Sequence, residues 1–393
     1  MKKLTCIFFA TAFLWTVNIN AQDPPSEPLT PSDRVITTAV PFLLVTGDAR
    51  AAGMGDQGVA TPADAFSQQW NAAKYAFSID KQGVAISYTP YLRELTNDIN
   101  LGSLTYYNRI NERSAFAGSL RYFSLGDIQF YDNIGNPQGQ YAPNQFALDL
   151  SYALRLSEQF SMAVTGRYIR SDLKIPGVDG DATAANSFAV DVSAFFQSEE
   201  IAYDEFDGRW RGGLSISNIG PKIKYDEAGS ESFIPTNFKA GAGFDFILDG
   251  SNTVGTYVEF NKLLVPTPQD FNGNGVLDAE DSEEYNEISE YGAIFSSWGD
   301  APDGFSEELK EITWATGVEY RYEESFAFRL GYFHESEEKG FRQFLTLGAG
   351  FRYTSINIDV SYLFSTATAV QNPLEGTLRF SLSFNFGDQY DED

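Results

Sequence analysis

The 393-residue chain offers little thiol or imidazole chemistry: one Cys, Cys6, and one His, His334. A single Cys excludes a disulfide framework, an iron–sulfur site and a Cys-based structural zinc site. A single His removes the usual catalytic zinc sets and leaves one candidate for a Ser-His triad. Basic residues are scarce too, 27 Lys and Arg against 54 Asp and Glu, for a formal net charge of -27. Phosphate binding needs a positive surface, so nucleic acid is excluded as a partner. Past its first residues the chain has no run of 18 apolar residues, so no helix of it is expected to span a bilayer.

Aromatics make up 15% of the chain, Gly contributes 34 residues, and the mean hydropathy is -0.25. That combination suits apolar residues that alternate with polar ones rather than cluster. Residues 1–21 read as a secretory signal peptide: Lys2 and Lys3, an apolar stretch over 4–17, then Asn18-Ile19-Asn20-Ala21 as the cleavage end. The apolar stretch is shorter than the roughly 20 residues of a spanning anchor. Cys6 precedes most of it, whereas a lipoprotein Cys follows it, so lipidation is not expected. Removing two Lys leaves 25 basic against 54 acidic residues, a charge of -29. In a membrane, such a chain can only be a closed barrel, the other structure that satisfies its own backbone.

From residue 82 onward, segments of about ten residues alternate with period two, which marks strands and not helices. Leu378, Phe380, Leu382, Phe384 and Phe386 oppose Arg379, Ser381, Ser383 and Asn385; Phe146, Leu148, Leu150 and Tyr152 oppose Ala147, Asp149 and Ser151. Fourteen strands follow, near 82–90, 99–108, 113–123, 144–155, 158–170, 186–197, 209–219, 236–247, 253–262, 313–323, 325–334, 343–353, 355–364 and 377–387. A soluble sandwich also alternates, but two features favour an all-β, 14-stranded, antiparallel transmembrane barrel. Apolar faces end in aromatics such as Tyr122, Tyr168, Trp210, Trp314, Tyr322 and Tyr353, as interfacial girdles require. Tight turns also alternate with long connections at 124–143, 171–185, 220–235, 263–312 and 365–376, and the even count allows closure. Asp149, Asp191, Glu259, Glu319, Arg321, Arg329, Arg352, Asp359 and Arg379 then face the lumen, tolerable if paired across strands or hydrated.

Ahead of the barrel, residues 22–81 begin with Pro24, Pro25 and Pro28 and continue through Gly47-Asp48-Ala49-Arg50-Ala51-Ala52-Gly53-Met54-Gly55 to Gly58-Val59-Ala60-Thr61 and Trp70-Asn71-Ala72-Ala73. Such small residues suit backbone in a confined space, here a hatch-like or periplasmic segment. This stretch resembles the N-terminal signature of FadL-like outer-membrane proteins, and more closely that of the PorV family of the Bacteroidetes type IX secretion system. Arg50, Met54, Gly55, Trp70 and Asn71 carry the resemblance. The family's Asn-Pro-Ala is here Asn71-Ala72-Ala73. The resemblance implies a non-enzymatic barrel in the outer membrane of a Gram-negative, Bacteroidetes-type bacterium, with its loops extracellular and its N-terminus periplasmic. It implies a role in protein export, receiving the C-terminal signal domain of cargo at the translocon and delivering it to the attachment complex. The implied partners are the translocon barrel SprA (or Sov), the sortase PorU and cargo signal domains, with membrane lipid around the barrel. A FadL-type channel for long-chain fatty acids or other hydrophobic small molecules is the alternative, and a passive porin the third reading. The domain expectation is 1–21 signal peptide, 22–81 N-terminal segment, 82–387 barrel and 388–393 acidic tail.

Two features of the 263–312 loop add detail. Asp270, Asn272, Asn274, Val276, Asp278 and Asp281 fall at positions 1, 3, 5, 7, 9 and 12 of a calcium-loop spacing, with Gly275 at position 6. Asp281 stands where Glu is usual and no helix is expected before the loop, so the competing reading is an acidic, turn-rich surface. No cofactor is required by the implied function, and calcium is the only one to which the residues point. Between 263 and 313 thirteen acidic side chains meet Lys310 alone. A charge run is usually a solvated face, yet Tyr285, Tyr291, Phe295 and Trp298 add apolar groups rimmed by charge, the mark of a docking surface. His334, at the end of a strand and followed by Glu335, has no Ser nucleophile context, so no catalysis is expected.

Overall fold

The computed structural model describes residues 29–30, 33–93, 96–131, 134–173, 183–225, 231–367 and 374–390; the expected signal peptide lies outside them. Fourteen strands form one closed antiparallel barrel. They are β1 (Asp80–Pro90), β2 (Ile99–Asn111), β3 (Ser114–Leu125), β4 (Asn144–Arg155), β5 (Phe160–Asp172), β6 (Ala185–Gln197) and β7 (Asp207–Ile219). The second half holds β8 (Asn237–Asp249), β9 (Asn252–Leu263), β10 (Thr313–Tyr322), β11 (Phe326–His334), β12 (Gln343–Tyr353), β13 (Ile356–Ser365) and β14 (Leu378–Gln389). Each strand pairs with the next, and β1 closes the ring on β14, with Ile86 opposite Leu382 on one side and Leu104 of β2 on the other. Closure leaves no edge strand with unpaired amides.

Side-chain burial is inverted relative to a soluble protein, which decides between barrel and sandwich. Along β4, Asp149 is 1% exposed while its neighbour Leu150 is 68% exposed. Ala147, Ser151 and Ala153 share the inward face with Asp149, and Leu148 and Tyr152 share the outward one. The same parity holds on β14, where Arg379, Ser381 and Ser383 point in and Phe380 and Phe384 point out. An apolar exterior with a polar interior is the arrangement lipid imposes.

The ladder runs two residues past the expected limits of 82 and 387 at both ends. Asp80 pairs with Gln389, and Lys81 meets Asp388 at 2.9 Å, so polar side chains extend the β1–β14 seam beyond the apolar pattern. One end of the barrel carries short turns, such as 112–113, 250–251 and 354–355; the other carries the long connections. The connection after β9 is not bare loop. It contains α3 (Ala279–Glu287), α4 (Glu290–Ser296) and α5 (Phe305–Lys310), which the strand periodicity did not anticipate. The core lies inside the ring, where residues 39–78 supply two short 3₁₀ turns, Pro41–Leu44 and Ala72–Phe77, and two single-turn helices, α1 (Ala49–Ala52) and α2 (Ser67–Trp70).

Candidate functional site

Two regions gather the residues singled out by the sequence: the barrel interior, and the folded connection 264–312. In the interior, Asp48 caps α1 by accepting from Ala51 N at 2.8 Å, and its other oxygen accepts from Trp70 Nε1 at 2.7 Å. That one carboxylate therefore ties together the two halves of the signature. Asn71 accepts from Ala73 N and donates to Val59 O and to Ala194 O of β6. Ala72 follows this cap as the first residue of the 3₁₀ turn, a position where Pro is tolerated but not needed, so the turn forms without the family's Pro.

The segment is fastened to the wall along its length. Ala49 N donates to Ser381 Oγ, Gly55 N to Thr346 Oγ1, and Gly58 N and Val59 N both to Glu259 Oε2 at 2.8 Å. Arg50 forks onto Glu319 of β10 (3.0 and 2.9 Å) and reaches Asp64 at 2.8 Å. Glu319 also takes Arg329 at 2.6 Å, and Arg329 takes Asp359 at 2.6 Å, so the charges form a chain across four elements. Arg379 pairs with Asp56, and Arg167 bridges Asp149 and Asp191. Buried charges are tolerable when paired and bidentate in this way. Two wall glycines make room for the segment. A Cβ on Gly331 would lie 2.0 Å from the Met54 carbonyl carbon, and one on Gly213 2.0 Å from Val59 O. Met54 itself is fully buried. Below the segment, at the short-turn end, a cavity of about 310 Å³ is lined by Arg50, Asp64, Arg211, Asp245, Arg321 and Asp359, among others.

At the other end, the connection 264–312 folds against the outside of the barrel rim. Lys239 points inward over the Trp70 ring (4.4 Å), so its neighbour Phe238 points outward, and Trp298 packs on Phe238 at 5.3 Å. Lys262, opposite Phe238 in register, meets Glu308 at 2.9 Å and Glu311 at 2.7 Å. Lys339 meets Glu307 at 2.6 Å and Glu311 at 3.1 Å, and Arg34 forks onto Glu307 and reaches Asp303. Three bases from outside the segment thus neutralise acids that the sequence suggested were solvated. Burial alone raises the Glu307 carboxyl, but hydrogen bonds from Arg34 and Lys339 outweigh it and hold it at about 2. Burial pushes Asp300 up to about 6; hydrogen bonds from Thr267 oppose this, and the nearby Glu308 and Glu311 add to it.

The four expected docking residues separate. Tyr285 is half-buried against Phe233 (5.4 Å) in a small core with Val265 and Ala293, and its hydroxyl donates to Pro266 O. It serves the loop's own packing and is not on the surface expected of it, because the Phe233 ring packs over it. Tyr291, Phe295 and Trp298 stand at i, i+4 and i+7 along and just beyond α4, all at least half exposed, with Phe295 at 80%. Phe305 on α5 is equally bare, and sequence reasoning passed over it.

The calcium-spaced residues do gather into one loop. Asp270 accepts from the amides of Gly273, Asn274 and Gly275, and Asn274 Oδ1 from that of Val276. Asp278 and Asp281 form a capping box that starts α3, and Asp281 also accepts from Phe271 N. Asn272 Oδ1 accepts from Asn274 N. These oxygens are engaged by the loop's own amides, and among the described residues no group of three His, Cys, Asp or Glu could hold a metal ion. His334 stacks on Trp314 at 5.1 Å.

A family model described as "Type IX secretion system protein PorV" matches residues 29–270. No curated protein matches the chain. Among solved structures, the Pseudomonas putida toluene transporter TodX is similar at 10% identity and a TM-score of 0.48, over 88% of this chain and 99% of that one. The Ralstonia pickettii toluene transporter TbuX matches at 12% identity and 0.47, over 88% and 99%. A Pseudomonas aeruginosa FadL homologue matches at 13% identity and 0.43, over 90% and 100%.

Proposed function

The chain belongs to the PorV family of type IX secretion proteins, and on that premise we propose that it binds the C-terminal signal domain of cargo at the translocon and delivers it to the attachment complex. The barrel lies in the outer membrane with its long connections facing outward from the cell. On that placement the described N-terminal segment begins at the outer end, where Arg34 meets Glu307, and runs through the interior to β1 at the periplasmic end, the reverse of the periplasmic start expected from the sequence. The translocon barrel SprA (Sov) and the sortase PorU are the partners, and no catalysis is assigned to the chain itself. The observation that carries this reading is the family match, extending from the interior segment through β9. The interior adds support. Residues 39–78 pack the interior, and the cavity below them sets Arg50, Asp64, Arg211, Asp245, Glu319 and Arg329 among apolar side chains such as Phe66 and Phe77, a charged lining ill suited to an acyl chain in transit. The bare aromatic edge of α4 and α5 is the surface offered to protein partners.

A photo-crosslinking residue at Phe295, activated in native membranes, is expected to capture the translocon barrel or cargo signal domains. Capture of no protein, together with uptake of a labelled long-chain fatty acid by the purified barrel in liposomes, would favour the FadL-type channel instead. Calcium at the 270–281 loop belongs to the same proposal on the strength of its spacing. Calorimetry should show millimolar or tighter calcium binding that Asp270→Ala abolishes; no heat at millimolar calcium removes it.

A further inference from the structure

The outer wall of β7 to β10 carries a groove of about 580 Å³, within the roughly 300–1,000 Å³ span of small-ligand sites. Its floor is made of small outward residues in neighbouring strands, Ala242, Thr256 and Thr316, with Val258 between Ala242 and Thr316 in register. Many outward positions elsewhere carry larger side chains, for instance Leu148 and Leu150, and the small outward residues on other strands, such as Gly118 and Gly166, are not among those lining this groove. One flank is an aromatic cluster at the short-turn end: Trp210 and Phe244 at 4.6 Å, Phe206 and Phe246 at 5.2 Å. Directly beyond it, the turn joining β6 to β7 exposes Glu199, Glu200, Asp204, Glu205 and Asp207.

We infer that this groove is a lipid-binding site that holds one acyl chain of a zwitterionic, amine-headed phospholipid. The occupant follows from where the groove opens. It is continuous with the lipid-facing wall of an outer-membrane barrel, so a hydrocarbon chain reaches it without crossing water. A floor of small residues between aromatic walls admits a chain lengthwise, and the chain gains contacts on three sides instead of one. The acidic turn selects the head: an ammonium is attracted to the exposed carboxylates, whereas a purely anionic head is repelled. The site rests on the wall's geometry and not on the export reading; only the leaflet that supplies the lipid depends on the orientation proposed above.

The full-length barrel, extracted in mild detergent, is examined by native mass spectrometry after incubation with phosphatidylethanolamine or phosphatidylglycerol of matched chains. One phosphatidylethanolamine should remain bound through gentle activation, preferred about fivefold over phosphatidylglycerol, as expected for one elementary charge near a lipid surface. Ala242→Leu with Thr256→Leu fills the floor with residues the outer wall already tolerates, and should abolish retention while heat-modifiable gel migration shows an intact barrel. Asp204→Asn with Glu205→Gln should keep retention and erase the preference. Equal retention by the filled variant, equal binding of both lipids to the wild type, or no retained lipid would each overturn the site. Recovery of a protein partner that only the unfilled wall captures would reassign the groove to that partner and overturn it as well.

Discussion

The interior segment 39–78 and the outer connection 264–312 are two long non-strand regions of the chain, and both are held by buried ion pairs. They are held differently. The interior segment is fastened along its whole length, through Ser381, Arg379, Thr346, Glu319 and Glu259 of four wall strands. The outer connection has its ion pairs gathered at one end, where Arg34, Lys262 and Lys339 converge on Glu307, Glu308 and Glu311. Elsewhere it is held by a few contacts, Tyr285 on Phe233, Trp298 on Phe238 and Lys222 on the carbonyls of Asn286 and Ile288. Away from those pins it presents Phe295 and Phe305 to its surroundings. Distributed fastening makes a filler that stays in place; local fastening makes a platform with a free edge. The first suits closing a barrel and the second suits meeting a partner.

The contrast is tested most severely at Glu319. Its carboxylate is shared by Arg50 from the segment and Arg329 from β11. Removing one partner of a buried pair costs about 3–5 kcal/mol because the remaining charge is left without compensation. Glu319→Ala should therefore lower the unfolding midpoint in detergent and raise ion conductance in planar bilayers as the segment loosens. An unchanged midpoint and a silent bilayer would show that ion pairs are not what keeps the interior closed.

A smaller effect is expected at the outer pin. Lys339→Ala strips Glu307 and Glu311 of one of their cations, while Arg34 and Lys262 remain, so the loss should be on the order of 1–3 kcal/mol, confined to the connection. Limited proteolysis should then cut within 266–308 faster while conductance stays at the wild-type level. Faster cutting accompanied by conductance would mean that the two regions are coupled.

Acid should act on the outer pin with opposite signs at two residues. Asp300 titrates at about 6, above the ordinary value near 4, so the folded connection binds its proton more tightly and gains stability as pH falls through 6. Glu307, held at about 2, contributes stability that is complete above its ordinary value near 4.5 and is lost as pH falls toward 2. Protease resistance of the connection should therefore rise as pH falls through about 6 and be greatest near about pH 4 to 5, before the loss at Glu307 takes over, with a gain from neutral pH of about 1 kcal/mol after solvent screening. Asp300→Asn should flatten the neutral side of the peak, and Glu307→Gln the acid side.

How far the sequence revealed these regions depends on where each contact partner lies. The wall was legible because its rule is local: period two, aromatic ends and turn residues are visible within ten positions, and parity alone places Asp149 and Glu319 inside. The signature residues Arg50, Met54, Trp70 and Asn71 could be marked by resemblance, but their wall partners lie up to hundreds of positions away, as Ala49 and Ser381 do. The helices of the outer connection were missed because acidic residues and Pro266 and Pro268 hid them. The Asp278 to Asp281 capping box and Ser289 were the only local signals. The thirteen acids looked solvated for the same reason: Arg34 approaches Glu307 across 273 residues, a pairing no local pattern encodes.

The finest test separates two aromatics that the sequence treated alike, Tyr285, six residues before the exposed stripe begins at Tyr291, and Phe295, four residues into it. Tyr285 is packed on Phe233 with its hydroxyl satisfied by Pro266, so Tyr285→Ala should open a void and cost on the order of 2 kcal/mol. Phe295 touches no core cluster and is 80% exposed, so Phe295→Ala should change stability by less than about 0.5 kcal/mol. Its effect should appear elsewhere, as weaker recovery of protein partners from native membranes, since exposed aromatics at the centre of a docking surface carry a disproportionate share of binding. Proteolysis and pull-down on the same two variants read both quantities. Tyr285→Ala should move the first and, through it, the second, whereas Phe295→Ala should move the second alone. Normal recovery with Phe295→Ala would leave the bare edge without a protein to meet, and with it the distinction between platform and filler.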